Sequence, residues 1–196
     1  MDPIEQLFED RQAARTSGDP CANLCTTATV DANNLPQART LVLRDVGPHM
    51  AVFLNQSSPK WEQISKSGVV CVVVWLPSLN IQYRLQCRVE AVAKDLVDES
   101  WQLRPDPPKR LDWYYTTQQP QSSPIPSRQA LLDHLDQLAL MDDPAHQRAP
   151  ETAQGWYLRP FYIDRLDLQQ ASGIHDRRAF SRRNTTGAWQ ETVLVP

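Results

Sequence analysis

The sequence predicts an α+β fold, an antiparallel β-barrel decorated with short helices. Strand-like runs recur along the whole chain, and short helical stretches with their own start and stop residues lie between them. There is also no GxGxxG, P-loop or GxSxG segment of the kind that marks a parallel, doubly wound sheet or a hydrolase elbow. A length of 196 residues favours one domain, 1–196, long enough to bury a core without disulfides or metal.

The elements follow in order. "PIEQLFEDRQAARTSG" reads as a helix: Ile4, Leu7, Phe8 and Arg11 fall at helical spacing, Pro3 suits the first turn and Gly18 the stop. Residues 23–46 read as a hairpin, with a Thr/Val-rich strand, a polar turn from Ala32 to Pro36 and one continuous second strand. "HMAVFLNQ" is a third strand. In "SSPKWEQISKSG", Ser58 as N-cap, Pro59 at N1 and Gly68 as stop define a short helix. The unbroken apolar run "VVCVVVWL" (69–76) predicts a strand buried on both faces, whereas 81–93 alternates and predicts a long strand with two unlike faces. "DLVDESWQL" is helical, and "DPPKRLDWYYTTQ" opens a further helix at Pro107. The Pro-rich stretch 118–128 is a loop, and Ser127 caps a helix running to Asp143. Residues 155–170 and 189–196 read as strands flanking the segment "SGIHDRRAF" (172–180), which this reading places on a loop.

Composition narrows the function classes. A net charge of −3 lacks the basic footprint of a nucleic-acid-binding domain. The acidic, amphipathic start has no apolar core of a leader, and the longest apolar run is far too short to span a bilayer, so the expected location is cytoplasmic, with no membrane partner. Cys21, Cys25, Cys71 and Cys87 form no CxxC pair and read as reduced structural residues.

Seven segments, in order, resemble the pyridoxamine 5′-phosphate oxidase family. "ARTLVLRDV" resembles its R-x-V-L-L-K strand, and "VFLNQSSPKWEQI" its FYTN-x-x-S-x-K junction. "NIQYRLQCRVEAV" resembles RQVR-x-x-G, "WQLRP" resembles YF-x-x-RP, and "QSSPIPSR" resembles QSS-x-I-x-x-R. "GIHDRRAF" resembles RLHDR-x-x-Y, and "WQETVLVP" the terminal W-x-x-x-x-L-x-P. The resemblance runs from Asp2 to Pro196. It implies a split β-barrel with peripheral helices, an FMN cofactor, and a homodimer with each flavin in the cleft between subunits.

The resemblance also implies site residues. Arg39 stands at an FMN-contacting arginine and Arg44 at a lysine serving both flavin and substrate. Five residues apart on one strand, these two would face opposite ways unless a bulge intervened. Lys60, near a helix N-terminus, suits phosphate. Gln82, Gln121, Ser122 and Arg177 stand at flavin-contacting positions, and Arg104 and His175 at positions that orient substrate. Alone, the histidine–arginine run would more often be a solvated turn, and only the family context gives it a role.

The departures cluster on the substrate side. The family's phosphate-binding tyrosine and serine positions hold Ser100 and Pro108, an arginine position holds Gly173, and Arg44 replaces the lysine. On the flavin side, Leu54, Pro59 and Leu166 replace a threonine, an arginine and a tryptophan. Since each charge-assisted bond contributes about 1.5–3 kcal/mol, FMN binding is expected to survive and the family's phosphorylated substrate to be lost. Three alternatives stay open. One is a true pyridoxamine 5′-phosphate oxidase with a pocket rebuilt around Lys109, Arg110 or Arg178. The others are a flavin-binding protein without turnover and, more remotely, a haem-binding split barrel.

Overall fold

The structure, a computed structural model, describes residues 2–140, 143–184 and 187–196. The chain divides into two compact units: residues 1–52, 67–90 and 157–196 in the first, and 53–66 and 91–156 in the second.

The elements run in chain order through both units. Helix α1 (Pro3–Thr16) is followed by β1 (Leu24–Val30), β2 (Pro36–Val42), β3 (Arg44–Val46), β4 (His49–Asn55), α2 (Pro59–Ser67), β5 (Val69–Leu76) and β6 (Ile81–Ala91). Then come α3 (Lys94–Gln102), α4 (Asp106–Thr117), α5 (Arg128–Leu140), β7 (Ala153–Asp167), β8 (Asp176–Ser181) and β9 (Gln190–Leu194). The strands form one sheet in the order β2-β1-β5-β6-β7-β4-β3, with β8 on β7 and β9 on β8. The pairings β1–β2, β1–β5, β5–β6, β3–β4, β7–β8 and β8–β9 are antiparallel. This is the α+β, antiparallel split-barrel class that the sequence predicts.

Alternation along the strands makes two unlike faces. Inward, Val72, Val74, Leu76, Tyr83, Leu85 and Cys87 are almost wholly buried. Helix α1 docks through a buried cation: Arg11, with no exposed surface, ion-pairs with Asp45 and donates to the carbonyls of Ala22 and Leu43 (3.2 Å each). A second polar knot joins the Tyr83 hydroxyl to Asp10 and to Arg165 Nε (3.0 Å). Burial and the Asp10 carboxylate push the Tyr83 phenol far above its ordinary range, so it stays a neutral donor.

The outward face corrects one expectation. β5 is not buried on both sides: Val69 and Trp75 are exposed and Cys71 and Val73 half-exposed. Register sets them beside Thr26 and Ala28 of β1 and, through β1, beside Ala38 and Thr40 of β2. The run is continuously apolar, yet within this chain one side of it lies uncovered.

Two further expectations are corrected. The strand drawn through 36–46 is two strands: β2 pairs with β1, with the Leu43 N–H still reaching the Asn23 carbonyl (2.9 Å), and from Arg44 the chain pairs with β4 instead. The parity argument for Arg39 and Arg44 therefore does not apply. And "DRRAFS" is a strand, not a loop: Arg177 pairs with Leu166 on one side and Leu194 on the other.

In the second unit, Ile64, Val97, Trp101 and Ala153 are buried, and Trp61 stacks on Trp156 with centroids 4.6 Å apart. Gly155 is required by close approach, since a Cβ there would lie 2.9 Å from the Phe53 ring and 3.1 Å from Val92. Ser127 Oγ accepts the Ala130 N–H (3.1 Å), as a cap should. The sequence expectation carries that helix to Asp143, but Met141 and Asp142 lie outside the described residues, and Asp143 is not helical: it caps the 3-10 turn Pro144–His146. Residues 118–127 form no regular structure beyond turns, as composition indicated, and Arg128 already starts α5. No helix among the described residues is long and apolar enough to cross a membrane.

Candidate functional site

The candidate residues fall into groups, each described within its own unit. In the second unit, strand β4 runs into a turn that opens α2. Asn55 Oδ1 accepts the Ser57 N–H (3.0 Å) and Ser57 Oγ (2.7 Å), and the Ser58 N–H returns to the Asn55 carbonyl (3.1 Å). The turn receives the loop that carries Gln121: its backbone N–H donates to Ser57 Oγ (3.0 Å), and Lys60 Nζ donates to its Oε1 (3.1 Å). Lys60, Gln121 and Ser122, drawn from two distant motifs, are thereby brought together. Ser122 adopts φ +74°, a left-handed conformation that a non-glycine residue rarely takes without a tertiary reason. Ser58 precedes the helix as expected, but its hydroxyl does not cap it. It is buried and bonds to no protein group among the described residues.

The first unit holds Arg39, Arg44, Gln82, His175 and Arg177. Arg39 donates to the Thr27 carbonyl (3.2 Å) and Thr29 Oγ1 (2.6 Å) and lies opposite Thr27, on the inner face. Gln82 lies opposite Trp75, on the outer face. Arg39 and Gln82 therefore project from opposite sides of the β2-β1-β5-β6 array. Arg44 starts β3, paired with Ala51.

Arg177 belongs to a three-residue cluster. Its Nε and Nη2 fork onto Asp164 (3.1 and 2.9 Å), and Arg84 Nη2 takes the same carboxylate at 2.8 Å. Asp164 is buried, its side chain 5% exposed, while Arg84 and Arg177 are 40% and 34% exposed. The bond from Arg177 and the one from Arg84 hold the Asp164 carboxyl below the usual carboxylate range. Two guanidiniums share one carboxylate, which leaves a net positive charge. His175 is exposed at the end of the preceding turn, and Gly173 within that turn has φ +72°.

The substrate-side candidate Arg104 lies in the second unit, beside a narrow cleft of about 10 Å³, room for about one water, bordered by Phe53, Leu54, Val97, Ser100 and Trp101. Its Nη1 ion-pairs with Asp112, whose side chain is 6% exposed and also accepts the Trp101 indole N–H at 3.2 Å. Burial pushes the Asp112 carboxyl up, against the pull of Arg104, Asn55 and Trp101.

Sequence reasoning missed Asp112, Asp164 and Arg84. For Arg84 a signal existed: it stands two residues after Gln82 on an alternating strand, hence on the same face. Asp164 and Asp112 had none, because their partners lie 13 and 8 positions away across strand pairing and a helix start.

Fold and residue clusters together define the split β-barrel class, and comparison with known proteins gives the family. The pyridoxamine 5′-phosphate oxidase family model matches residues 19–142. A pyridoxine/pyridoxamine 5′-phosphate oxidase of Pseudomonas putida is 31% identical over 197 residues, covering 98% of this chain and 86% of the relative. One from Chromohalobacter salexigens is 28% identical over 185 residues, 94% of this chain and 84% of that one. Among solved structures, PhzG from Burkholderia lata, in complex with tetrahydrophenazine-1-carboxylic acid, superposes with a TM-score of 0.84 at 17% identity, covering 99% of this chain and 92% of that one. A pyridoxamine 5′-phosphate oxidase-related, FMN-binding protein of Nostoc punctiforme superposes with 0.78 at 18% identity, covering 100% and 99%. This chain belongs to the pyridoxamine 5′-phosphate oxidase family, a family of oxidoreductases.

Proposed function

We propose that the chain, as one domain over 1–196, binds FMN and works as an oxidase-like oxidoreductase on a small molecule. It does so as a cytoplasmic homodimer with each FMN in the cleft between subunits. The observation that carries this reading is the meeting of Lys60 and Gln121, 61 residues apart in sequence, beside a buried hydroxyl, Ser58 Oγ, that has no protein partner. An unsatisfied buried hydroxyl costs about 1–3 kcal/mol. A phosphate oxygen accepting from it, from Lys60 and from the helix-start amides would recover that cost. The donor set therefore fits the phosphate end of FMN.

When bound, FMN supplies two-electron acceptor chemistry. The chain's residues supply the rest. Lys60, Gln121 and Ser122 hold the phosphate end. Gln82 and the net-positive cluster around Arg177 meet the polar edge of the cofactor, and Arg39 and Arg44 add cationic donors. Arg104 and His175 orient the substrate.

The dimer reading has its own support. The outer face of β5 is apolar and uncovered, and it adjoins Gln82 and Arg84. Arg39 and Gln82 face opposite ways in one chain, which suits a cofactor cleft that draws on two chains. The second reading is the relatives' own activity, oxidation of pyridoxine or pyridoxamine 5′-phosphate.

Purified protein supplemented with FMN should show bound-flavin absorption bands, release a cofactor of FMN mass, and sediment at about twice 22.3 kDa. Protein that takes up no flavin overturns the cofactor reading. A stable monomer that binds FMN tightly overturns the two-chain cleft.

A further inference from the structure

We propose that Asp112 is a specificity-determining residue that closes the substrate side to phosphate monoesters, so that the substrate class is unphosphorylated small molecules. This rests on the flavin-enzyme reading above and adds the substrate class to it.

Charge beside Arg104 decides the matter. A phosphate monoester carries nearly two negative charges and needs several donors whose charge is not already taken. The cation of this cleft, Arg104, is held by Asp112, a buried carboxylate further anchored by the Trp101 indole. The pairing is one to one, and its net charge is zero.

The cations that could have rebuilt a phosphate pocket are likewise committed to carboxylates of this chain. Lys109 is buried, with Nζ 5.2 Å from the Trp101 ring centroid and 4.0 Å from Asp106. Arg110 forks onto Asp143 through Nε (3.0 Å) and Nη2 (2.5 Å). In the first unit, Arg178 is held between Asp176 (2.8 Å) and Glu191 (2.7 Å). Each cation that might have rebuilt a phosphate pocket thus has a carboxylate of this chain against it. Freeing Arg104 would leave the buried Asp112 carboxylate without its counter-charge, a cost that a phosphate taking Arg104 would first have to meet. Phe53, Leu54, Val97, Ser100 and Trp101 border this cleft, and none of them adds a cation for a phosphate.

The test compares pyridoxine with pyridoxine 5′-phosphate, which differ only in the phosphate. Binding is read by Trp fluorescence on FMN-supplemented protein, with FMN affinity and the melting temperature measured for each variant. Wild type should bind the phosphorylated form no more tightly than pyridoxine. Asp112→Asn keeps an acceptor for Trp101 and removes the charge. It should shift the preference toward the phosphorylated form by about tenfold, the worth of one released charge-assisted contact.

A wild-type preference of tenfold or more for pyridoxine 5′-phosphate overturns the proposal. So does an Asp112→Asn protein that melts and binds FMN as wild type does but leaves the preference unmoved. Should that variant fail to fold, the wild-type ratio alone decides. Loss of FMN binding by wild type would instead sink the flavin reading, and it is read separately from the ligand ratio.

Discussion

Two arginine clusters in this chain look alike in a contact map and differ in arithmetic. In one, Arg84 and Arg177 share the single carboxylate of Asp164, and both guanidiniums keep a third or more of their side-chain surface exposed. In the other, Arg104 faces Asp112 one to one, with the carboxylate buried and pinned by an indole. The first retains a positive charge that an anionic cofactor can meet. The second has spent its charge inside the chain. An arginine retained at a family position does not by itself retain a family function, because the partner that decides its availability lies elsewhere in the sequence.

The largest effect expected from breaking this contrast is on the cofactor. Arg177→Ala removes one of two guanidiniums and leaves Arg84 to hold Asp164. FMN affinity should fall roughly ten- to a hundredfold, the worth of one charge-assisted contact, with little change in melting temperature. Wild-type affinity in this variant would make the cluster structural only.

Asp112→Ala attacks the other cluster and should act on stability. It strands the Trp101 indole N–H and leaves Arg104 without its counter-charge, at a cost of about 1–3 kcal/mol in urea unfolding. A cost near zero would mean that Asp112 does not hold Arg104 in solution.

A smaller effect comes from Asp143. Bonds from Arg110 and from the Ala145 N–H depress its carboxyl to about 2. Its contribution is therefore complete above the unfolded carboxylate range near 4 and is lost as pH falls through about 2. Unfolding curves between about pH 5 and 2 should fall less steeply for Asp143→Asn. The two proteins should differ by up to about 1 kcal/mol at the upper end, and parallel curves would contradict the linkage. The smallest expected effect is that of His175→Ala, an exposed residue, which should leave FMN affinity nearly unchanged while altering turnover.

How much of this was legible in the sequence follows from range. Strands and helices come from local periodicity, and nearly all were placed. The failures came where a tertiary contact overrode the local signal. After Leu43 the chain leaves β1 and pairs with β4, and Asp176–Ser181 gains strand geometry only from neighbours on both sides. "VVCVVVWL" is apolar on both faces, and sequence alone gave no way to see that one face would lie uncovered. For the site, quoted motifs supplied positions, and Lys60 and Gln121 do meet. The same motifs could not show that Arg104 is neutralised, since Asp112 belongs to no motif and its effect depends on burial. Gly173 repeats the lesson in backbone terms: at φ +72° an arginine placed there to restore the family residue would be strained.

The central claim is that phosphate is recognised on the flavin side of this protein. Calorimetric titration of one wild-type preparation with FMN and with riboflavin tests it most directly, because the two ligands differ only by the phosphate that Lys60, Ser58 and Gln121 are proposed to hold. The account predicts that FMN binds at least about a hundredfold more tightly, as two or more charge-assisted contacts require. Equal affinity for the two, or no binding of either, would contradict it.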